Sequence, residues 1–530
     1  MTQPRLSGLI SLSETTQALL DDPFQRSINA IDSVIPALLS ERAKEKKILV
    51  VTHSSRRSSE LASELSAFTD GVIEFPAWET LPHERLSPNG ETVARRIDAL
   101  YRMKDASIII APVRAFVQPI ISSITKTPSL NIAIGESINF QEFITALTER
   151  GYSRVDLVER RGDFAVRGGI VDVFLPLAEH PIRIEFFGDE VEEVRYFEIG
   201  DQRTFAPVTE QIRFLPCREL LIDDDVRARA KELRSEYFEV REMCDKISDG
   251  IYVEGLESLA AVLTSGMTTL IDLLPHNCEI VLLEEERIRN RTLDLIRTSD
   301  EFLEAAWSHV ALSDSTMALS DSTRAPLRKE LQSGGYQRID VLQQKAIDQS
   351  LAWRSINSFS DEESVTVDQF LSTPTYRGDI EKLIAEIKSW LNDGYLITLC
   401  LPGHGLVERY VQLLNDADIP SRASETITAK PTRGTVYVIA APISAGWIDQ
   451  SNKIIALGES DITGVADQRA GIGKMPKRRK KTIDPLELKS GDYVVHEIHG
   501  IGRYVELIER TIAGVEREYL VIEYAPAKRG

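Results

Sequence analysis

Lys46-Lys47-Ile48-Leu49-Val50-Val51-Thr52-His53 is a continuous apolar run of strand length, the kind that a parallel sheet buries on both faces. Upstream of it, apolar residues at Leu19, Leu20, Ile28, Ile31 and Ile35 have helical spacing. Downstream, residues 54–68 (SSRRSSELASELSAF) put cap-forming serines ahead of Leu61, Leu65 and Phe68, which predicts a second helix. A second buried strand, ASIIIAP, follows at 106–112. Helix, strand, helix, strand predicts an α/β layer to about residue 125.

From about 130 to 215 the pattern changes to alternating strands with turn glycines, FAVRGGIVDVFLP and PIRIEFFGDEVEEVRYFEI, joined to a short helix at 140–149. Gly188-Asp189 is placed to turn a hairpin. Residues 216–345 return to amphipathic helices around one buried strand, EIVLLEEE at 279–286, with a Ser/Asp-rich linker near 311–323. A second α/β unit is expected over 368–468, from YLITLCL, TVYVIAAP, NKIIALG and a helix after the Gly403–Gly405 turn, as an independent domain. Six basic residues and no acid lie between Lys474 and Lys481, a solvated linker that could also touch nucleic acid. Strand and turn residues then run to Gly530.

At ~150 residues per domain, 530 residues predict three or four domains and exclude a single small module. With 42% hydrophobic and 27% charged residues the composition is that of a folded chain, not a disordered one. The net charge of −20 repels phosphate backbone, so contact with nucleic acid needs a local basic patch. Cys217, Cys244, Cys278 and Cys400 are scattered, with no C-x-x-C pair, which argues against a zinc module or disulfide scaffold and for a reducing cytosol. No signal peptide or membrane span is expected.

The chemistry-bearing patterns are mostly missing. A phosphate loop needs glycines whose N–H groups surround the phosphates and a lysine to meet their charge, spelled G-x-x-x-x-G-K-[ST]. The nearest fragments, Gly471-Ile472-Gly473-Lys474 and Lys126-Thr127, lack the spacing or the glycines. Glu284-Glu285-Glu286 after an apolar strand is read as a charged helix start rather than a magnesium site. His496 and His499, three apart in a strand, point to opposite faces and are read as ordinary strand and turn residues. Arg161-Gly162-Asp163 is read as a turn. There is no G-x-S-x-G elbow and no catalytic constellation.

One strand does speak. In Ile182-Arg183-Ile184-Glu185-Phe186-Phe187, period two places Ile182, Ile184 and Phe186 on one face and Arg183, Glu185 and Phe187 on the other. An aromatic beside an arginine on a solvated face is the composition of a binding hot spot. Periodicity alone leaves open that Phe187 is covered by the following hairpin or by a neighbouring helix. Arg167, just before Gly168-Gly169, has a cross-strand position close to Arg183 available to it.

The stretches ERRGDFAVRGGIVDVFLP…IRIEFFGDEVEEVRYFEIGDQRT, FPAWETLPHERLSP (75–88) and SGDYVVHEIHGIGRYVE…EYLVIEYA (490–525) together resemble the Mfd family, the bacterial transcription-repair coupling factors. The resemblance covers essentially the whole chain. It implies an α/β multidomain fold: a degenerate P-loop-type, UvrB-like α/β domain in two parts (1–128 and 216–345), interrupted by an inserted α+β UvrA-binding domain (129–215). A linker (346–367), a small α/β domain (368–468), a basic linker (469–487) and a CarD-like, Tudor/SH3-like β domain (488–530) would follow. It further implies UvrA contacts at Arg167, Arg183 and Phe187, and RNA polymerase β-subunit contacts at Arg503, Tyr504, Val505, Leu507 and Ile508 by edge-strand pairing. ATP, magnesium and most DNA contact belong, in that family, to translocase lobes absent from this chain, which is expected to be inactive alone, without cofactor, and cytoplasmic. A UvrB-like ATP-dependent repair helicase and a CarD-like transcription regulator are the alternatives.

Overall fold

The computed structural model describes residues 6–22, 27–127, 130–237, 240–308, 327, 330–358, 364–428, 430–464, 493–496, 500–512 and 515–524. They divide into two compact units, 1–471 and 472–530. Among the described residues no helix is long and apolar enough to cross a membrane.

The quoted apolar run is the Lys47–Thr52 strand of a seven-stranded, all-parallel sheet. The sheet runs Val365–Thr366, Ser27–Asn29, Ala352–Asn357, Cys278–Leu283, Lys47–Thr52, Ile108–Pro112, Val72–Glu74. Its continuous apolar strands have a physical reason. Ile48, Val50, Ile108, Ile110, Val281 and Leu283 point into one core, under helices Ile35–Arg42 and Ser55–Leu65. Their neighbours Leu49, Val51, Ile109, Ala111, Ile280 and Leu282 point into another, under helices Gly90–Arg102, Glu285–Ser308 and Ile339–Asp348.

Three expectations need correction. The spacing from Leu19 to Ile35 is not one helical face: a helix at Glu14–Asp21 stops two residues before Pro23 in the sequence, and Ile28 lies in a strand. The stretch 346–367, expected as a linker, contains the Ala352–Asn357 strand, hydrogen-bonded on both sides inside the sheet. Its polar spelling, AWRSIN, hides it from hydropathy. Arg354 is tolerated there because Glu279 Oε1 accepts from its Nε (2.8 Å) and the Leu19, Leu20 and Asp22 carbonyls accept from its terminal nitrogens. Arg42 donates to the other oxygen of Glu279 (2.8 Å), which makes a buried three-charge group.

The third correction concerns 368–468. Its six-stranded sheet has parallel strands Ile454–Leu457, Leu396–Leu401, Val436–Ala440 and Ser421–Ser424, flanked by antiparallel Trp447–Asp449 and Phe370–Ser372. The helix after the Leu396–Leu401 strand starts at His404, with Gly403 at its N-cap. One sheet face is covered by its own helices Ile380–Asn392 and His404–Asp416. The other face, with Leu396, Cys400, Ile439, Trp447 and Ile454, belongs to the same core as Ile28, Leu61 and Leu65. Phe68 and Trp447 meet at 6.0 Å between ring centroids. This unit shares a core and is not independent.

Between the two halves of the first layer sits a six-stranded sheet ordered Thr204–Pro207, Glu190–Phe197, Ile182–Phe187, Ile170–Val173, Asp163–Arg167, Ser153–Arg154. Its pairs are antiparallel except the last. The ends of the insertion lie side by side, Leu130–Ile132 pairing antiparallel with Ile212–Phe214. Helix Phe140–Glu149 buries Phe143, Ile144 and Leu147 against one face, on Val171, Val173, Ile182, Ile184 and Phe186.

In the second unit, strands Tyr493–His496, Gly500–Ile512 and Val515–Tyr524 form an antiparallel sheet in that order.

Candidate docking face

On the side of the inserted sheet away from helix Phe140–Glu149, the register lines up Arg195, Arg183, Asp172 and Ala165 in one row across four strands. Arg183 makes a bidentate pair with the carboxylate opposite it: Nε to Asp172 Oδ1 at 2.7 Å and Nη2 to Oδ2 at 2.9 Å. Its Nη1 donates to the Gln202 carbonyl (3.3 Å), and the guanidinium lies 5.1 Å from the Phe197 ring centre. The Asp172 hydrogen bonds hold the Arg183 proton above its ordinary range. Arg167, half-exposed, puts Nη1 3.9 Å from Asp172 Oδ2 and donates from Nη2 to the Asp156 carbonyl at 2.6 Å. Both arginines singled out in the sequence thus converge on one carboxylate.

Phe187 is 78% exposed. Its neighbour Phe186 turns inward and meets Phe140 edge-on at 5.1 Å and Phe143 at 5.6 Å. The exposed ring stands on a firm base. Gly188 takes φ +64 in the two-residue turn, and Asp189 ties the hairpin to the adjoining helix, which Asn139 caps, by accepting from Phe140 N–H at 3.0 Å. Gly169 is equally constrained, because a Cβ there would sit 2.8 Å from the Phe186 carbonyl oxygen.

Two features differ from expectation. Arg183 is not a free surface cation: its side chain is only 19% exposed. Asp172, with a side chain 3% exposed, is a member of this face that strand alternation does not single out. The signal was there as a lone acid in the apolar strand Ile170–Val173.

In the second unit, Arg503 pairs with Glu523 at 2.6 Å, both largely exposed, and Tyr504 is buried at 6%. The register skips Val505, then pairs Leu507 with Leu520 and Ile508 with Tyr519. Strand Tyr493–His496 covers only Gly500–Arg503, so among the described residues the segment from Tyr504 onward has a strand partner on one side alone.

The remaining candidates resolve into structure. Glu284 accepts from Ser358 N–H (2.8 Å) and Glu285 pairs with Arg289 (2.6 Å) at the start of a helix. Gly162, φ +89, turns the chain into the Asp163–Arg167 strand. Lys126-Thr127 closes a short 3-10 turn. His496 ends a strand. His499, Gly471-Ile472-Gly473-Lys474, the 311–323 linker and the basic run 474–481 lie outside the described residues. Burial pushes the thiols of Cys217, Cys278 and Cys400 up to about 12 and that of Cys244 to about 11, which removes them as nucleophiles.

The fold and the face define the class: a mixed α/β multidomain protein whose inserted module, residues 130–220, matches the family model of the UvrB interaction domain. Residues 488–529 match the CarD-like/TRCF RID domain. Transcription-repair-coupling factors of Mycobacterium bovis and Mycobacterium tuberculosis are each 37% identical to the chain over 556 residues, covering 99% of it and 44% of the relative. That of Myxococcus xanthus is 25% identical over 516 residues, covering 90% and 42%. Over nearly its whole length the chain is similar to these transcription-repair-coupling factors, and it spans less than half the length of these relatives.

Proposed function

We propose that this chain is the partner-recruiting portion of a transcription-repair coupling factor, a cytoplasmic adaptor that brings the excision-repair protein UvrA to stalled RNA polymerase. The observation that carries the reading is an exposed phenyl ring on a pinned hairpin, on the sheet face that also carries arginines held on a buried carboxylate, within the module that matches the UvrB interaction domain. Arg167, Arg183 and Phe187 are the proposed UvrA contacts. Aromatic and arginine side chains give the largest losses on truncation at interfaces. An acidic chain that displays arginines here selects a partner surface with carboxylates and an apolar pocket.

Polymerase contact is proposed for Arg503, Val505, Leu507 and Ile508, with the Tyr504 backbone, by strand addition to the edge beyond Arg503. In this reading the second unit is a Tudor/SH3-like domain, and the first layer is a phosphate-loop fold that has lost its loop. ATP-driven DNA translocation belongs to the portion of the relatives that the chain does not cover, and no cofactor is proposed for the chain itself. The test is capture of purified UvrA by the immobilised chain. Binding that disappears in the Arg183→Ala/Phe187→Ala double variant supports the reading, and undiminished binding defeats it.

A further inference from the structure

We infer that Asp172 is a positioning residue of the docking face, one that orients Arg183 and Arg167 toward the partner while touching no partner itself. The inference rests on the reading of the face given above. At 3% exposure the carboxylate lies too deep for an incoming surface to reach. Everything it does for docking it does through the two guanidinium groups.

The geometry states what that is. A guanidinium has five N–H groups in a fixed plane. Asp172 takes one from Nε and one from Nη2 of Arg183, and the Gln202 carbonyl takes one from Nη1. One N–H on each terminal nitrogen is left over, and the plane is fixed by two bonds to one carboxylate and by the Phe197 ring. Arginine otherwise loses considerable rotamer freedom when it docks, and a side chain already ordered in the free protein avoids that loss. Charge works the same way. Arg195 faces Arg183 directly across the strand pair, and Arg167, two residues along its strand from the same row, reaches Asp172 from the other side, so three cations gather on one face. The Asp172 carboxylate, paired with Arg183 and approached by Arg167, offsets the repulsion between those two, while Glu193 holds Arg195 at 2.7 Å.

Asp172→Asn keeps the size and one acceptor oxygen while removing the charge and the symmetric pairing. The experiment titrates UvrA onto the wild-type chain, Asp172→Asn, Arg183→Ala and the double variant, with thermal melts of each. Asp172→Asn is expected to weaken binding by about five- to tenfold. In the Arg183→Ala background the same substitution is expected to cost much less, because the main group it orients is gone. A purely structural role would add the same loss in both backgrounds, and that outcome overturns the inference. Should Asp172→Asn fail to fold, Arg183→Lys takes its place, since it keeps the charge at 183 and abolishes the bidentate pair. Undiminished affinity of Arg183→Lys then overturns it. Phe187→Ala separates the two levels. If it weakens binding while Asp172→Asn binds normally, only the positioning role fails. If Phe187→Ala and Arg183→Ala both bind normally, the docking face itself is wrong.

Discussion

Phe186 and Phe187 are consecutive, chemically identical and placed in opposite environments, so truncating each to alanine should give opposite results in two assays. Phe187 is 78% exposed and its loss removes little from the folded chain, so its stability change should stay within about 0.5 kcal/mol. On the proposed docking reading its contribution lies in the complex, where burying a phenyl ring is worth roughly 2–3 kcal/mol, so its removal should cost about a 30- to 150-fold loss of UvrA affinity. Phe186 is 9% exposed and packed between Phe140 and Phe143, so Phe186→Ala should destabilise the inserted module by about 3–5 kcal/mol. Denaturant melts and UvrA titrations on the same preparations read both numbers. The reasoning is refuted if Phe187→Ala binds UvrA within about threefold of wild type. It is equally refuted if Phe187→Ala melts early while Phe186→Ala does not.

Glu279→Ala leaves Arg354 in the core with backbone carbonyls in place of its carboxylate, while Arg42 keeps Asp21 and Glu45, and chemical denaturation should show a loss of about 3–5 kcal/mol, the usual cost of breaking a buried ion pair. Gly169→Ala drives a methyl group toward the Phe186 carbonyl, and the inserted module should lose about 1–3 kcal/mol, read as a lower melting temperature. His83 is buried, and desolvation lowers its pKa from 6.5 to about 4. The unfolded chain therefore takes up the proton first: this contribution to stability is complete above pH 6.5 and is lost as the pH falls toward 4. It amounts to about 3 kcal/mol, and His83→Gln should flatten that part of the stability–pH curve.

The apolar strands were readable because each residue of 48–51, 108–111 and 280–283 is claimed by one core or the other, which leaves no polar position to interrupt those runs. The Ala352–Asn357 strand was unreadable for the opposite reason. Its Arg354 is satisfied by Glu279 and by three carbonyls more than 330 residues away, and no local pattern records such partners. At the docking face, alternation correctly set Phe187 apart from the core-facing residues. The role of Asp172 depends on register, since only the pairing of Ile170–Val173 with Ile182–Phe187 sets it opposite Arg183. The shared core of the two sheets was likewise invisible, because apolar faces advertise burial and not the surface that covers them.

The order of strands in the parallel sheet has a consequence for synthesis. Ser27–Asn29 finds its neighbours only in Ala352–Asn357 and Val365–Thr366, with 330 residues separating Ser27 from Asn357. At about 5–20 residues per second, a ribosome needs roughly 15–70 s to deliver that neighbour. Throughout that interval the nascent polypeptide carries an unfinished sheet margin, a natural client for holding chaperones, whereas the inserted module, whose strands all lie within 130–214, can close long before translation reaches the missing strand.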